Sequence, residues 1–455
     1  MDVERDAFEP LDRAALIELV LMQQARITAL EAQVTQLRAE LAARTGAPPS
    51  AAGSSPPSWV RPSRPALPAK TTRRKRPHNF ARRRDTSTEI VEHVVAVCPA
   101  CGTALQGGEV VRRRQVLHLP RVPVQIIEHV VRRRVCPRCG QVATPALDLS
   151  SAVVGHHRVS AATMASIASL HTVGRLPIRT IQWLVETMHG LHLSVGGLVE
   201  IVQAVAARAQ PALAGLQAAV RASPVVHADE TGWRQAGVNG YVWTFSTPTL
   251  RYFHHDRRRA GAVVQQVLGP VYEGTLVSDF YSAYSIHEGP HQRCWVHLLR
   301  DLHDLGQLHP DDAALQTWAQ AVWALYRDAT VTAAAEHAWP QRVAERARLD
   351  TALLALCQPG LAPGSPLLQA TLCHRIDRFL DELFAFVLDP TIPPDNNLAE
   401  RSLRPLVIAR KISGGTRSAQ GSQVRMALAS LFGTWLAQGR DPLDACHQML
   451  LTQAL

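Results

Sequence analysis

Two short apolar runs that each end in an aspartate constrain the fold of this chain more than any other feature of its sequence. The first, VVHAD, covers residues 225–229, and the second, GTLVSDF, covers residues 274–280. Between them, GYVWTFSTP and RYFHHD alternate in the manner of strands, and GAVVQQVLG has the pattern of a short helix. The predicted order is therefore strand, strand, strand, helix, strand.

This order opens a ribonuclease-H-like fold, in which the first and fourth strands lie side by side. Their carboxyl ends would then bring Asp229 and Asp279 together. Two carboxylates in contact repel each other, and one of them takes up a proton unless a cation lies between them. Mg²⁺ or Mn²⁺, which prefer oxygen ligands, are the cations expected here.

A third carboxylate, Glu400, lies within DNNLAERSLRPLVIARK at residues 395–411. A helix that begins after Pro394 and packs across the sheet would complete a site for two metal ions, which activate an attacking oxygen and stabilise the leaving oxygen of a phosphodiester. A surface turn or an ion pair explains any one of the three acids taken alone. The basic side chains that follow are predicted to bind the DNA backbone: Arg401, Arg404, Arg410 and Lys411.

The charge of the chain favours a polyanionic partner. The net charge is +10 and the isoelectric point is near 9.6, so double-stranded DNA is the first partner expected. The opening MDVERDAFEP has no apolar leader, and no uncharged apolar run reaches the roughly 18 residues that a membrane span needs. The sequence therefore predicts a cytoplasmic protein without a membrane partner.

The first 90 residues divide into two predicted segments. Residues 1–45 carry an apolar seam with alternating spacings of four and three, which predicts a leucine-zipper-like coiled coil and a homo-oligomer. An amphipathic helix that folds back on the protein stays open as an alternative. Residues 46–90 form a Pro-rich basic linker, which is either a solvated tail or an arm that follows DNA phosphates.

Residues 91–148 hold two Cys-x-x-Cys pairs, CPACG and CPRCG. Two such turns supply the four thiolates of a tetrahedral zinc site, and four cysteine ligands leave no position for a substrate. The expected zinc ribbon is structural and includes an extended hairpin over residues 109–119 and 124–135; two turns with free thiols are the alternative. The predicted zinc ligands are Cys98, Cys101, Cys136 and Cys139.

The remaining segments are assigned by pattern. Residues 150–220 are predicted to be helical and compatible with a DNA-binding helix-turn-helix, although paired amphipathic helices are common elsewhere. The ribonuclease-H-like core is expected at 221–309 and 391–420, with a helical insertion at 310–390 and a helical segment at 421–455. The fold class predicted is thus multidomain α+β.

Two further motifs each allow two interpretations. Cys294 and His297 have the spacing of metal ligands, but no second pair is obvious, so a packed thiol and a hydrogen-bonded imidazole are favoured. The Gly-rich stretch at 414–421 is either a loop that contacts phosphate or a simple turn.

Three blocks of the sequence, HADETGWR, LVSDFYSAYSIHEGPHQRCWVHLLRDL and DNNLAERSLRPLVIARK, resemble the catalytic blocks of bacterial DDE transposases of the insertion-sequence-sixty-six type. The likeness extends over most of the chain. It implies that Asp229, Asp279 and Glu400 form the metal-binding triad and that the four cysteines bind zinc. It also implies that the Cys294 and His297 pair is a shared feature of the family, to which no role is assigned. The chain departs from many relatives at ISGGTRSAQG, where they have an aromatic-rich segment.

The function expected from this resemblance is that of a DNA transposase. Such an enzyme binds the terminal inverted repeats of its element, cleaves the 3′ ends with Mg²⁺ or Mn²⁺ and joins them to target DNA, with helper proteins of the same element as further partners. Two other classes stay open. A ribonuclease-H-like nuclease or junction resolvase would cut without joining, and a non-catalytic zinc-ribbon regulator would only bind DNA.

Overall fold

The computed structural model describes residues 85–155 and 157–452, together with positions 25, 28, 29, 32, 33, 35 and 36, which are helical. The apolar seam of the predicted coiled coil and nearly all of the predicted linker lie outside the described residues. The chain divides into two compact units, residues 1–117 and 118–455. No helix in the described part of the chain is both long and apolar enough to cross a membrane.

A five-stranded mixed sheet forms the centre of the second unit. Its strands are β3 (Val225–Gln235), β4 (Val238–Ser246), β5 (Arg251–Asp256), β6 (Thr275–Ser278) and β7 (His291–Arg293), in the order β5-β4-β3-β6-β7. The first three pair antiparallel, whereas β3 with β6 and β6 with β7 pair parallel. The predicted adjacency of the first and fourth strands is therefore confirmed.

The hairpin between β3 and β4 turns through only two residues. Ala236 and Gly237 both have positive φ values, 52° and 81°. Two consecutive residues of this kind match the right-handed twist of the strands that they join. The tight turn keeps β3 and β4 in register over nine residue pairs, from Gln235–Val238 back to His227–Ser246.

Helices on either side of the sheet bury its apolar faces. Before the sheet come α1 (Ala161–Thr172), α2 (Ile178–His189), α3 (Val195–Arg208) and α4 (Gln210–Arg221), and α5 (Ala262–Leu268) crosses from β5 to β6. Near the end of the chain lie α11 (Asn397–Ser413), α12 (Ala419–Ala437) and α13 (Pro442–Leu451). Side chains from α1, α3, the sheet and α12 share one core, which includes Trp243, Phe245 and Phe432.

A second core belongs to the helices between β7 and α11. These are α6 (Trp295–Leu308), α7 (Ala313–Ala334), α8 (Trp339–Leu361), α9 (Ala370–Arg378) and the short α10 (Ala385–Leu388). Their apolar side chains cluster around Trp295, Trp318 and Phe384, and Val277 of β6 and Val225 of β3 pack with them from the sheet. Residues 310–390 are thus largely helical, while the domain boundaries themselves stay predictions.

The extended hairpin predicted over residues 109–135 is wrong. Only β1 (Arg134–Val135) and β2 (Val142–Ala143) form strands in this region, and residues 109–133 form none. Val111 and Ile126 are each 90% exposed. An alternating pattern stabilises a ribbon only where a second layer covers its apolar face, and these side chains have no such cover.

Candidate active site

Asp229 lies within β3, which continues to Gln235, and Asp279 directly follows the last residue of the neighbouring parallel strand β6. The prediction that the first strand ends at Asp229 is therefore wrong. The parallel register pairs His227 of β3 with Val277 of β6, and each aspartate follows two residues later. The carboxylate of Asp279 accepts a hydrogen bond from the backbone N–H of Tyr281 (2.9 Å), which holds the turn after β6. Both aspartates are half-buried.

The helix that carries Glu400 is attached to β3 beside Asp229. The side chain of Asn396, which is fully buried, donates a hydrogen bond to the carbonyl oxygen of Ala228 (2.7 Å), and its Oδ1 lies 3.2 Å from Nδ1 of His227. Asn396 precedes the first residue of α11, and Glu400 lies in the first turn of that helix. The buried amide therefore fixes the first turn of α11 against β3 at the residues that precede Asp229.

Apolar contacts hold the rest of α11 on the sheet. Leu403, Leu406 and Ala409 pack with Trp233 of β3 and Val242 of β4. Their spacing of three places them on one face of the helix. The helix that carries the third acid is therefore packed on the sheet, as its sequence predicts.

Asp229 lies in an environment that disfavours its charged form. Burial, followed by the negative charges of Glu230, Asp279 and Glu400, raises the pKa of Asp229 to about 8. A raised pKa means that the carboxylate form is disfavoured where it stands. A divalent cation beside Asp229 would offset both the burial and the repulsion.

His297 is the nearest basic neighbour of Glu400. Its Nε2 atom lies 3.6 Å from Oε1 of Glu400, and both side chains are about 30% exposed. This distance suits an ion pair but is too long for a hydrogen bond. Within the described residues, Oε1 of Glu400 and Nδ1 of His297 are buried atoms without a hydrogen-bond partner.

The residues of this site fit a divalent metal in their chemistry. They offer carboxylate oxygens, one of which is buried without a hydrogen bond, and hard divalent ions prefer such ligands. Over residues 85–155 and 157–452, no group of three or more His, Cys, Asp or Glu side chains is already arranged to hold a metal ion. The assignment of Asp229, Asp279 and Glu400 as ligands therefore stays a prediction.

Cys294 and His297 have different neighbours and different surroundings. The thiol of Cys294 is fully buried and accepts a hydrogen bond from the backbone N–H of Asn396 (3.2 Å). Burial raises the pKa of Cys294 to about 11, so the thiol stays protonated. The favoured interpretation of a packed thiol agrees with these contacts. His297 lies within ion-pair distance of Glu400, but its Nδ1 atom lacks the hydrogen bond that was expected for the imidazole.

Two charged residues beside the aspartates were missed by sequence reasoning. The side chain of Glu230 is only 2% exposed, pairs with Arg259 (2.6 Å) and accepts a hydrogen bond from the hydroxyl of Tyr284. Arg293 of β7 is fully buried and donates to the carbonyl oxygen of Asp279 (2.9 Å). The sequence signals were a second acid directly after Asp229 and an arginine directly before Cys294.

The predicted DNA contacts on α11 divide into two kinds. Arg401, Arg404 and Lys411 are exposed. Arg410 is half-buried, and its Nη1 donates to the hydroxyl of Thr231 (3.1 Å) and to the backbone carbonyl of Gly232. Arg410 therefore ties α11 to β3, and one of its nitrogens is already engaged.

The Gly-rich stretch after α11 is attached to the β3–β4 hairpin. The backbone N–H of Thr416 donates to the carbonyl of Arg234 (2.9 Å), and the N–H of Ala236 donates to the carbonyl of Thr416 (2.8 Å). A Cβ atom on Gly415 would lie 2.0 Å from that Arg234 oxygen, so only glycine fits. Residues 414–416 thus form a structural turn.

The two Cys-x-x-Cys turns have the same local geometry. In the first, the N–H of Gly102 donates to the carbonyl of Cys98 (2.9 Å), and in the second, the N–H of Gly140 donates to the carbonyl of Cys136 (2.9 Å). Hydrogen bonds from Thr103 lower the pKa of Cys101, and those from Cys139 and Arg138 lower that of Cys136. Thiolates are the form that binds zinc, so each turn fits two zinc ligands.

The mixed sheet and the helices around it fit the catalytic core of a DDE transposase. The sequence model of the family described as "Transposase IS66 family" matches residues 156–424, which is more than half of the chain. The chain therefore belongs to the transposase IS66 family, and the resemblance seen in its sequence is confirmed.

Curated relatives come from Sinorhizobium fredii (strain NBRC 101917 / NGR234). The uncharacterized protein y4qI is 28% identical over 45% of this chain and 40% of its own length. The uncharacterized protein y4jO is 30% identical over 35% of this chain and 47% of its own, and y4jD is 27% identical over 50% of each. The chain thus spans half or less of the length of these relatives.

Proposed function

We propose that this protein is a DNA transposase that binds the terminal inverted repeats of an insertion sequence, cleaves their 3′ ends and joins them to target DNA. The observation that carries the proposal is the environment of Asp229, whose pKa is raised to about 8 partly by Asp279 and Glu400. The negative charges of Asp279 and Glu400 act on Asp229, and the chain has a net charge of +10; both features support a cation-dependent reaction on a polyanion.

Asp229, Asp279 and Glu400 would hold Mg²⁺ or Mn²⁺. When bound, the metal supplies Lewis-acid activation of the attacking oxygen and stabilisation of the leaving oxygen. The chain itself positions the acids: the parallel register aligns the two aspartates, and Asn396 fixes the first turn of α11 on β3. Arg401, Arg404 and Lys411 present charge on the exposed side of the same helix for the DNA backbone.

The test measures cleavage, joining and end binding separately in three isosteric variants, Asp229→Asn, Asp279→Asn and Glu400→Gln. Each is expected to lower cleavage and joining by about a thousandfold or more, because each removes a metal-binding carboxylate. Binding to element ends, measured by mobility shift, should stay close to that of the wild type. The element ends are taken from the inverted repeats in the DNA that flanks the gene.

The matched controls are Asp311→Asn and Glu336→Gln, which remove the same charges from exposed positions in the helical insertion. Both should cut and join like the wild type. Retained cleavage in Asp229→Asn would contradict the metal site. Cutting without joining in the wild type would instead identify a nuclease or resolvase, and binding without cutting would identify a regulator.

A structural zinc ion held by Cys98, Cys101, Cys136 and Cys139 is a second part of the proposal. The matching turns and the lowered pKa values of Cys101 and Cys136 support it. We expect about one zinc per chain beyond the catalytic metals, by elemental analysis of the purified protein. Zinc content that is unchanged in Cys98→Ser and Cys136→Ser variants would refute this assignment.

Self-association through the predicted coiled coil and interaction with helper proteins of the same element complete the proposal. The support for both is the sequence and the family alone. A chain that lacks residues 16–41 should form an assembly of fewer subunits than the full chain, as measured by light scattering. An unchanged number of subunits would reject the coiled coil as the site of association.

A further inference from the structure

A surface cavity lies beside Asp279, between the turn that follows β6 and helix α9. It encloses about 320 Å³, near the lower end of the range of about 300–1,000 Å³ in which small ligands bind. Its walls combine two aromatic and three basic side chains with the hydroxyl residues Ser282 and Thr371; the aromatic and basic residues are Phe280, Phe379, His374, Arg375 and Arg378. Neither the proposed metal ligands nor the proposed DNA contacts on α11 line this cavity.

The floor of the cavity is aromatic. Phe280 and Phe379 meet edge to face, with their ring centroids 5.5 Å apart and their planes at 64°. The guanidinium of Arg375 lies 5.4 Å from the Phe280 ring, and that of Arg378 lies 5.2 Å from the Phe379 ring. Aromatic faces next to guanidinium groups are the surfaces on which nucleic acid bases stack without regard to sequence.

The rim of the cavity is positively charged. Arg375 pairs with Asp301, so its charge is partly balanced. Arg378 and His374 are exposed, and among the described residues neither forms an ion pair. Arg378 is therefore the group best placed to receive a phosphate.

The cavity has a fixed position relative to the proposed catalytic site. Phe280 directly follows Asp279, and Arg293 donates to the Asp279 carbonyl while it pairs with Glu382 in the insertion (2.5 Å). The same guanidinium lies 4.7 Å from the Phe379 ring. One buried arginine thus links the strand end that carries Asp279 to the aromatic floor.

We infer that this cavity binds one unpaired nucleotide of the DNA strand that adjoins the scissile phosphate. The base stacks on Phe280, whose ring packs edge to face against the buried Phe379, and the phosphate contacts Arg378. A cavity of this size accepts a single nucleotide but not a base pair within a duplex. The inference rests on the proposed function, because it assigns the helical insertion a contact with the DNA being cut.

The test is photocrosslinking of the full chain to an oligodeoxythymidylate of about ten nucleotides that carries one 5-iododeoxyuridine, without divalent metal. The crosslinked peptides are identified by mass spectrometry. We expect crosslinks to the peptides that contain Phe280 or Phe379, and we expect an unlabelled single strand to compete better than a duplex of the same length. Crosslinks confined to other peptides would overturn the inference.

Two variants separate stacking from charge. Phe280→Leu keeps an apolar side chain but removes the ring, and Arg378→Gln removes the phosphate contact; each should lower the crosslinking yield in these peptides about fivefold or more. Arg327→Gln, an exposed arginine elsewhere in the insertion, is the control for general loss of charge and should change nothing. Equal losses in Arg327→Gln and Arg378→Gln would overturn the inference.

The result is independent of the cleavage test. Thermal melting of each variant verifies that the protein is folded. Asp229→Asn should crosslink like the wild type, because it leaves the cavity intact. Normal crosslinking in Phe280→Leu and Arg378→Gln would reject the cavity alone, whereas cleavage by Asp229→Asn would reject the catalytic proposal.

Discussion

At the scale of single residues, His297 is the contact that most directly affects the proposed third ligand. Its Nε2 atom is the nearest basic group to Oε1 of Glu400, at 3.6 Å, and its own Nδ1 is buried without a hydrogen bond in the described part of the chain. We regard His297 as a positioning residue, because it acts on the carboxylate and not on the DNA. Residues that orient metal ligands are often as important as the ligands themselves.

Replacing His297 with Gln should leave the carboxylate of Glu400 less firmly positioned for metal binding. We expect a loss of about 10–100-fold in metal affinity or cleavage, measured by Mg²⁺ titration of cleavage and by calorimetric binding of Mn²⁺. His303→Gln, an exposed histidine on the same helix, is the control. If His297→Gln binds Mn²⁺ as the wild type does, the positioning role is wrong.

The residue scale also shows where sequence reasoning reaches its limit. An asparagine directly before a helix is typical of an N-terminal cap, yet the side chain of Asn396 forms no cap hydrogen bond and instead joins Ala228 and His227 on β3. A buried amide can serve either purpose, and only the tertiary contact decides which one. Glu230 was equally hidden, because its partners Arg259 and Tyr284 lie 29 and 54 positions away.

At the scale of elements, the order of strands was predictable because local sequence patterns mark each strand. Short apolar runs predict β3 and β6, but β3 continues past the predicted end at Asp229 to Gln235, where a two-residue turn that was not predicted joins it to β4. The failed hairpin at residues 109–135 shows the opposite case, in which an alternating pattern has no covering layer. Strand formation followed the pattern where a helix or a second strand buried the apolar side chains.

The turn between β3 and β4 gives a prediction about stability. Ala236 has a φ of 52°, a conformation that costs a residue with a Cβ atom about 1–2 kcal/mol and that asparagine tolerates better. Ala236→Asn should therefore raise the free energy of unfolding by about 1 kcal/mol. The measurement is the midpoint of urea unfolding followed by tryptophan fluorescence.

The control for this change is Ala222→Asn, at an exposed position where φ is −85°. Because that backbone suits alanine, the substitution should bring no gain in stability. A gain of the same size at both positions would mean that asparagine acts through the unfolded chain and not through the turn. The backbone hydrogen bond from Ala236 to Thr416 is kept in either variant.

At the scale of the whole molecule, buried histidines make stability depend on pH. Burial and the charge of Arg425 lower the pKa of His171 to about 4, and burial and the charge of Arg293 lower that of His291 to about 4. The unfolded chain protonates its histidines below about pH 6.5, whereas the folded chain keeps these two neutral. The unfolded state therefore binds more protons between about pH 6.5 and 4, and stability falls as the pH falls through this window.

The measurement is urea unfolding at a series of pH values from 7 to 4.5. His171→Gln should show a shallower decline than the wild type, because it removes one of the groups that take up a proton on unfolding. His192→Gln, whose side chain is 79% exposed in the wild type, should keep the wild-type slope. Identical slopes for all three proteins would show that His171 does not contribute.

The position of Glu400 in the chain has a consequence for the order in which the protein is made. Glu400 follows Asp279 by more than a hundred residues, and the helices α6 to α10 are synthesised between them. A ribosome that stalls or terminates within these helices releases a polypeptide with two of the proposed acids and without the third. On our proposal such a fragment is unable to break DNA, so the late arrival of one carboxylate protects the cell from its unfinished copies.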